Sequence, residues 1–474
     1  MTRAGVHRPE TLSSSANVTT HGFSSGGLRR SLQRRHMSMI ALGGVIGAGL
    51  FVGSGVVIGS AGPAAVVSFA LTGTLVVLVM RMLGEMAVAY PAVGGFYEYN
   101  RLALGELAGF LTGWMYWYFW VIVVALEAVA GARILVTWWP AVAPWQFTLA
   151  LVAVFTIVNL LSVRSYGEAE FWFASIKVAA IVAFLCAGLL FALGAWPGAQ
   201  AGVPHLTAHG GFMPNGIVPV LTGAVAATGF YFGAEIVTIA AAESAEPEKA
   251  VAATTQSVIW RVLVFYVGSI FLVVAIVPWN DTLRMSRPYV SVMEVLRIPA
   301  AATVMSIVIL TAVLSALNSG LFASSRMLMA LAAHRDAPAR IARLDARGVP
   351  VAAILASTAF GYLTVAMSYL SPEGIFAFLV NSYGTVAIFV YLLIALAELR
   401  LRRRLESQAP ERLRIRMWGY PYLTGLAIVA MLAILAAMSV IPAQRVSLAF
   451  GLVSVALLLG AYTLRRLLQP GRPR

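Results

Sequence analysis

The chain has 474 residues, of which 60% are hydrophobic and only 11% are charged, and its mean hydropathy is +0.85. Soluble domains carry about 25% charged residues, so the composition excludes a soluble globular protein and predicts an all-α polytopic membrane protein. The net charge of +14 does not indicate nucleic-acid binding, because the basic residues are concentrated between apolar segments.

Apolar segments long enough to cross a bilayer follow one another along the chain. A helical span needs about 20 apolar residues, and by that measure we count about twelve spans. The first two are joined by very few residues. The spans lie near residues 38–60, 64–89, 107–137, 145–163, 170–195, 216–242, 256–278, 299–333, 350–370, 374–399, 419–441 and 446–467.

Arginine is enriched in alternate loops. The segments 138–145, 196–215 and 371–373 contain no Lys or Arg, whereas the N-terminal segment, the loops near 335–347 and 400–416, and the C-terminal segment are rich in Arg. Cytoplasmic loops carry an excess of Lys and Arg, so we expect both termini in the cytoplasm, with anionic lipids at that face. The exceptions are Arg284, Arg287, Arg297 and Arg445.

The first span is interrupted by glycine over residues 43–51. Gly-interrupted spans in corresponding positions of two halves indicate the binding site of a transporter. If the helix restarts near Gly49, its free amides and positive end suit a carboxylate. Small residues that only let helices pack closely are the alternative. The predicted substrate-binding residues here are Val45, Ile46, Gly47, Ala48 and Gly49.

Arg81 and Glu85 lie four residues apart at the end of the second span. Residues at this spacing are neighbours on one helix face. We expect the two side chains to pair with each other in a structural or gating role.

The third span carries Glu127 after a run of aromatic residues, which we interpret mainly as packing. Glu127 could face a substrate ammonium group or pair with Arg133. Since a spacing of six residues is poor for a pair on one helix face, the substrate cavity is favoured.

The fifth span contains Lys177, one of only two lysines beside 31 arginines. A buried lysine, unlike arginine, can lose its proton at accessible pH. Reversible protonation inside the bilayer is what proton coupling requires. The alternative is a long stem that reaches back to the membrane interface.

The sixth span has a second interruption over residues 228–235, directly followed by Glu235. Exposed carbonyl groups there suit an ammonium group, and Glu235 could respond to protonation or make a structural hydrogen bond. An anion receptor and a cation receptor at one site describe a zwitterion, so an amino acid substrate is predicted. The residues concerned are Gly229, Phe230, Tyr231, Phe232 and Gly233.

Sequence patterns of metal or nucleotide chemistry are absent: the chain has no C-x-x-C, no H-E-x-x-H and no P-loop. We therefore expect no metal site, no cofactor other than a coupling proton, and no enzymatic activity. A membrane enzyme or a sensor with an attached signalling domain finds no support.

Several motifs resemble the amino acid transporter family of the amino acid–polyamine–organocation superfamily. The likeness covers essentially residues 30–440. The motifs are RHMSMI at 35–40, GVIG at 44–47, RMLGEMAV at 81–88, YGEAEFWF at 166–173, AESAEPEK at 242–249 and SRML at 325–328. Members that transport 4-aminobutyrate (GABA) show a further likeness at GFMPNG, residues 211–216, GAEIVTIAAAES, residues 233–244, and VPWN, residues 277–280.

The resemblance implies a leucine-transporter-like fold with two inverted repeats of five helices, in which the first and sixth helices are broken. The implied organisation is a disordered cytoplasmic tail, a transporter core, a basic cytoplasmic loop, two accessory helices and a C-terminal tail. Their bounds are 1–36, 37–400 (repeats 37–195 and 216–400), 401–418, 419–467 and 468–474.

The resemblance also implies proton symport in a bacterial inner membrane by alternating access, with Lys177 and Glu235 as coupling residues. The expected substrate is 4-aminobutyrate or a related amino acid, and no obligatory protein partner is evident. Gly49 and the Gly229, Phe230, Tyr231 sequence depart from the 4-aminobutyrate pattern. A permease or exchanger for another aromatic or neutral α-amino acid therefore stays an alternative.

Overall fold

The computed structural model describes residues 39, 46–90, 95–161, 163–197, 202–240 and 262–468. Regular structure in this part of the chain is helical throughout, without strands. The predicted tail 1–36, Val45 and the motif at 242–249 lie outside the described residues. The α-helices are α1 Ser54–Ala61, α2 Ala65–Ala89, α3 Phe96–Leu104, α4 Glu106–Trp138, α5 Pro144–Leu161, α6 Val163–Ala192, α7 Ile217–Tyr231, α8 Ile236–Ala240, α9 Ser269–Ile276, α10 Thr282–Met285, α11 Pro288–Val295, α12 Ala301–Ala333, α13 Val351–Leu370, α14 Pro372–Gln408, α15 Tyr422–Val440 and α16 Pro442–Leu468.

Ten helical stretches in the described part of the chain are long and apolar enough to cross a membrane. The protein is therefore a polytopic, all-helical membrane protein, as predicted. One stretch, Gly49–Ala89, contains both α1 and α2, which a turn at Gly62 (φ +65°) and Pro63 separates. A shorter apolar helix covers Leu263–Ile276. The twelve-span count and the inverted repeat stay predictions.

The centre of the protein is the contact between α4 and α12, which pack along each other more extensively than any other pair of helices. A Cβ atom at Gly320 of α12 would lie 2.9 Å from both Trp120 and Val124 of α4. Small residues let helix backbones approach closely in membranes. Gly320 thus brings together the two helices from which the site is built.

Arg81 and Glu85 do not form the expected mutual ion pair. Glu85 Oε2 instead accepts hydrogen bonds from Arg402 of α14 and from the amide of Met417. Arg81 Nε donates to the carbonyl of Arg416 at 2.9 Å. The prediction was wrong because the chain after α14 returns across the end of α2 and offers partners that no local pattern reveals.

A polar junction joins α3, the end of α12 and α16. The Asp336 side chain, which is 2% exposed, accepts hydrogen bonds from Tyr97 at 2.9 Å and Arg101 at 2.8 Å. Arg465 of α16 pairs with the other carboxylate oxygen. Buried ions persist where partners satisfy their hydrogen-bonding groups, so this junction fixes α16 to the core.

Beside this junction, Glu98 Oε1 lies 2.5 Å from His334 Nε2. Burial raises the pKa of Glu98 to about 7. Burial, and then the Arg101 cation, lower the pKa of His334 to about 4. The pair is therefore neutral in weak acid, where protonated Glu98 donates to the imidazole.

Glu98→Gln is expected to remove a loss of stability that the wild type shows as pH rises from about 4.5 to about 7. A raised pKa gives stability that is present below the unfolded-state value and is lost as pH rises through the folded-state value. The His334 contribution has the opposite sign, because it is lost as pH falls from about 6.5 to about 4, and it is present in both proteins. The melting temperature of the wild type in detergent, minus that of the glutamine variant, should therefore fall as pH rises from about 4.5 to about 7. Parallel curves would contradict the assignment.

Candidate functional site

The first interruption predicted from the sequence is the start of a helical segment. Helical structure begins at Ala48 and passes through a π-helical turn, Gly49–Gly53, into α1. The first amides of a helix have no partner within it. The Ala48 amide donates to both oxygens of the buried Glu127 carboxylate, at 3.2 and 3.3 Å. Glu127 of α4 therefore occupies the amide at which a substrate carboxylate is predicted to bind.

Lys177 meets the same short segment from the other side. Its Nζ donates to the carbonyl of Ile46 at 2.8 Å, and its side chain is fully buried. The ammonium group therefore points into the protein, in contrast to the alternative of a stem that reaches back to the interface. Two residues of one segment thus present a carbonyl to a lysine and an amide to a glutamate.

The second interruption also lies where glycine predicts it. Helix α7 ends at Tyr231, Phe232 is extended, and Gly233 has φ +130°, a conformation that only glycine adopts readily. Helix α8 then begins at Ile236. The Gly233 amide donates to Glu235 Oε2 at 3.0 Å. Glu235 therefore caps the unwound backbone directly.

Two tyrosines that sequence reasoning missed meet Glu235. Tyr391 of α14 donates to Glu235 Oε2 at 3.4 Å, and the hydroxyl group of Tyr116 of α4 faces the same carboxyl group. Phe232 packs against both tyrosines, with its ring centroid 4.9 Å from that of Tyr391 and 5.6 Å from that of Tyr116. Tyr116 belongs to the aromatic run of α4 that we interpreted as packing. Its hydroxyl group, which can bond to a buried carboxyl group, was the one feature of the sequence that could have indicated this role.

Phe230 connects the two interruptions. A Cβ atom at Gly49 would lie 2.6 Å from Phe230 Cδ1, and one at Gly53 would lie 2.6 Å from Phe230 Cζ. The ring therefore lies against the glycine face of the first helical turns. Its carbonyl accepts a hydrogen bond from Tyr266 at 2.9 Å. Gly49 and Phe230, two of the departures noted in the sequence, thus form one contact.

Glu170 is a further buried acid that the sequence analysis did not single out as functional. It lies on α6 with Lys177, is fully buried, and accepts a hydrogen bond from Ser315 of α12 at 2.6 Å. Lys177 consequently stands near two carboxylates, Glu170 and Glu127. The site holds acids and one lysine but, among the described residues, no group of His, Cys, Asp and Glu arranged to bind a metal.

Comparison with known proteins agrees with this geometry. The family described as "Amino acid permease" matches residues 36–467. The gamma-aminobutyric acid permease of Bacillus subtilis (strain 168) is 49% identical over 444 residues, which cover 94% of this chain and 95% of that protein. The gamma-aminobutyric acid permease of Escherichia coli (strain K12) is 46% identical, with 90% and 92% covered.

A relative with another substrate in its name is also similar. The aromatic amino acid transport protein AroP of Corynebacterium glutamicum is 41% identical over 421 residues, which cover 88% of this chain and 90% of that protein. These relatives are permeases and transporters rather than enzymes. The family match, the membrane-spanning helices and the two interruptions together establish that this chain belongs to the amino acid permease family of membrane transporters.

Proposed function

We propose that the protein takes up 4-aminobutyrate or a related amino acid across a bacterial inner membrane, by alternating access coupled to protons. The observation that carries the proposal is the pair of interruptions at Ala48 and Gly233, a helix start and an unwound segment that meet where Gly49 lies against Phe230. The relatives named for gamma-aminobutyric acid support the choice of substrate.

The Ala48 amide is the receptor for the substrate carboxylate in this proposal. Glu127 leaves that amide as the substrate arrives, and its carboxylate then meets the substrate ammonium group with the carbonyls near Phe230 and Phe232. The two charges of 4-aminobutyrate are further apart than those of an α-amino acid. An acid on α4, set back from the unwound carbonyls of α7, suits that longer separation.

Protons act at Lys177 and Glu235, each of which bonds directly to the backbone of one interruption. A change of charge at either side chain alters the bond that holds the unwound segment. Excess Arg in alternate loops supports cytoplasmic termini and contact of the basic loop at 401–418 with anionic lipids.

The test is uptake of labelled 4-aminobutyrate into proteoliposomes with an inward proton gradient. We expect accumulation that a protonophore abolishes and that ω-amino acids compete. Accumulation of an α-amino acid with no response to 4-aminobutyrate would instead favour the second candidate, a permease for aromatic or neutral amino acids. We retain that candidate because Gly49 and Phe230, which depart from the 4-aminobutyrate pattern, lie in contact with each other. An exchanger would show counterflow at clamped pH without proton movement.

Glu127→Gln is expected to raise the KM for 4-aminobutyrate by about tenfold, equivalent to about 1.4 kcal/mol of binding free energy. The neutral amide keeps the shape but loses the charge that attracts the ammonium group. Two competitors distinguish the ends of the substrate: butylamine should inhibit the variant less than the wild type, and butyrate should not lose potency. Uptake and inhibition equal to the wild type would remove Glu127 from the site.

A further inference from the structure

Glu170 of α6 is buried, ionisable and unused by the proposed binding of substrate. Its side chain is fully buried, and Ser315 Oγ donates to Oε1 at 2.6 Å. Asn318 and Ser319 follow Ser315 on α12, but neither Asn318 Nδ2 nor the second oxygen of Glu170, Oε2, has a hydrogen-bond partner among the residues that the structure describes. Asn159 of α5 donates to Asn318 Oδ1 at 3.0 Å. Helix α12 thus supplies the hydrogen bond to this carboxyl group, and α5 holds Asn318 beside it.

Glu170 and Lys177 lie seven residues apart on the same helix, α6. Seven residues are close to two helical turns, so the two side chains share a face of α6 and their backbones are about 10 Å apart along the axis. Glu170 and Glu127 are the two carboxylates that act electrostatically on the Lys177 ammonium group. Glu127 lies on the substrate side of Lys177, at the Ala48 amide. Glu170 lies on the other side, toward the start of α6.

Among the side chains that the structure describes, Lys177 is the one charged group that acts on Glu170. On α12 the facing groups are two serines and an asparagine, and the remaining charge, Arg326, lies three turns further on. Helix α5 has no charged residue, and the packed segment 262–276 has only Tyr266 as an ionisable group. Glu168, two residues before Glu170, is partly exposed. Within the described part of the chain, Lys177 is therefore the charged partner of Glu170.

We infer that Glu170 is the relay through which the proton of Lys177 leaves toward the cytoplasm. The inference rests on the proposed proton coupling and on cytoplasmic termini, which place the start of α6, and so Glu170, on the cytoplasmic side of Lys177. The ammonium group gives its proton to the Glu170 carboxylate, which leaves a neutral amine and a carboxylic acid. The acid then releases the proton to water on the cytoplasmic side. Ser315 orients the carboxyl group throughout.

Glu170→Gln in proteoliposomes tests this role, because glutamine still accepts the Ser315 hydrogen bond but cannot carry a proton. Uptake driven by a proton gradient, and the accompanying proton flux reported by a trapped pH dye, should fall by at least about tenfold. Counterflow of labelled substrate at equal pH should persist, and the pH dependence of uptake should flatten. Glu170→Asp should restore part of the proton flux.

Ser315→Ala is the matched control, since it removes the hydrogen bond and leaves the carboxylate. If the role of Glu170 is only structural, Ser315→Ala and Glu170→Gln will lose counterflow and gradient-driven uptake alike, which would overturn the inference. Full proton flux in Glu170→Gln would also overturn it. A wild type whose uptake ignores the proton gradient would overturn the proposed coupling itself, together with this relay.

Discussion

Lys177→Met is expected to abolish accumulation of substrate against its gradient, even with a large inward proton gradient. The substitution keeps much of the aliphatic stem but removes the group that bonds the Ile46 carbonyl at 2.8 Å. It also leaves Glu127 and Glu170 without their cationic neighbour. Breaking a buried pair by removing one partner costs about 3–5 kcal/mol, so the melting temperature of the purified variant must be measured beside its uptake.

Lys177→Arg separates loss of charge from loss of titration. Arginine keeps the positive charge between the two acids, but it cannot be deprotonated in a protein. We expect this variant to retain more thermal stability than Lys177→Met and yet to show no proton-dependent accumulation. Accumulation by the arginine variant at the wild-type level would show that Lys177 acts as a fixed charge and not as a proton carrier.

Gly49→Ala is expected to lower the rate of uptake by about tenfold or more, because overpacking costs about 1–3 kcal/mol. The new Cβ atom would lie 2.6 Å from Phe230 Cδ1 and 2.9 Å from Phe230 Cβ. Since Phe230 Cβ is fixed to the backbone, no rotamer change relieves the second contact. The strain would therefore pass into the α7 backbone just before the interruption at Phe232 and Gly233.

Gly59→Ala is the matched control for this clash. Gly59 lies on α1, and a Cβ atom there would meet nothing within 4 Å. The Gly59→Ala variant should leave uptake unchanged and should raise the free energy of unfolding slightly, by up to about 1 kcal/mol. Gly49→Ala combined with Phe230→Leu should recover part of the lost rate if the ring is the obstacle. Equal uptake by the Gly49→Ala and Gly59→Ala proteins would contradict the contact.

The parts of the site that sequence reasoning found are those with a local signal. Glycine-rich interruptions predicted where the helices would start and stop, because glycine is costly inside a helix and adopts the positive φ seen at Gly233. Lys177 was found because a chain with 31 arginines keeps one lysine inside an apolar segment. In each case the unusual residue itself carried the information.

Partners supplied by distant segments were not predictable in the same way. Arg402 and Met417 lie more than 300 residues after Glu85, and only the tertiary structure brings them to that carboxylate. Tyr391 reaches Glu235 across a gap of 156 residues. Glu170 is different, since its spacing of seven residues from Lys177 within one predicted helix is a signal that could have been read.

Main-chain atoms at Ile46, Ala48 and Gly233, rather than side chains, present the polar groups of both interruptions. Mutation cannot delete a peptide group, so in the proposed site the features common to all amino acids are recognised by atoms that every sequence retains. Divergence can then act on neighbours such as Phe230 without loss of that recognition. Such a site can change its preferred substrate in single steps, and relatives named for aromatic amino acids and for gamma-aminobutyric acid are consistent with that history.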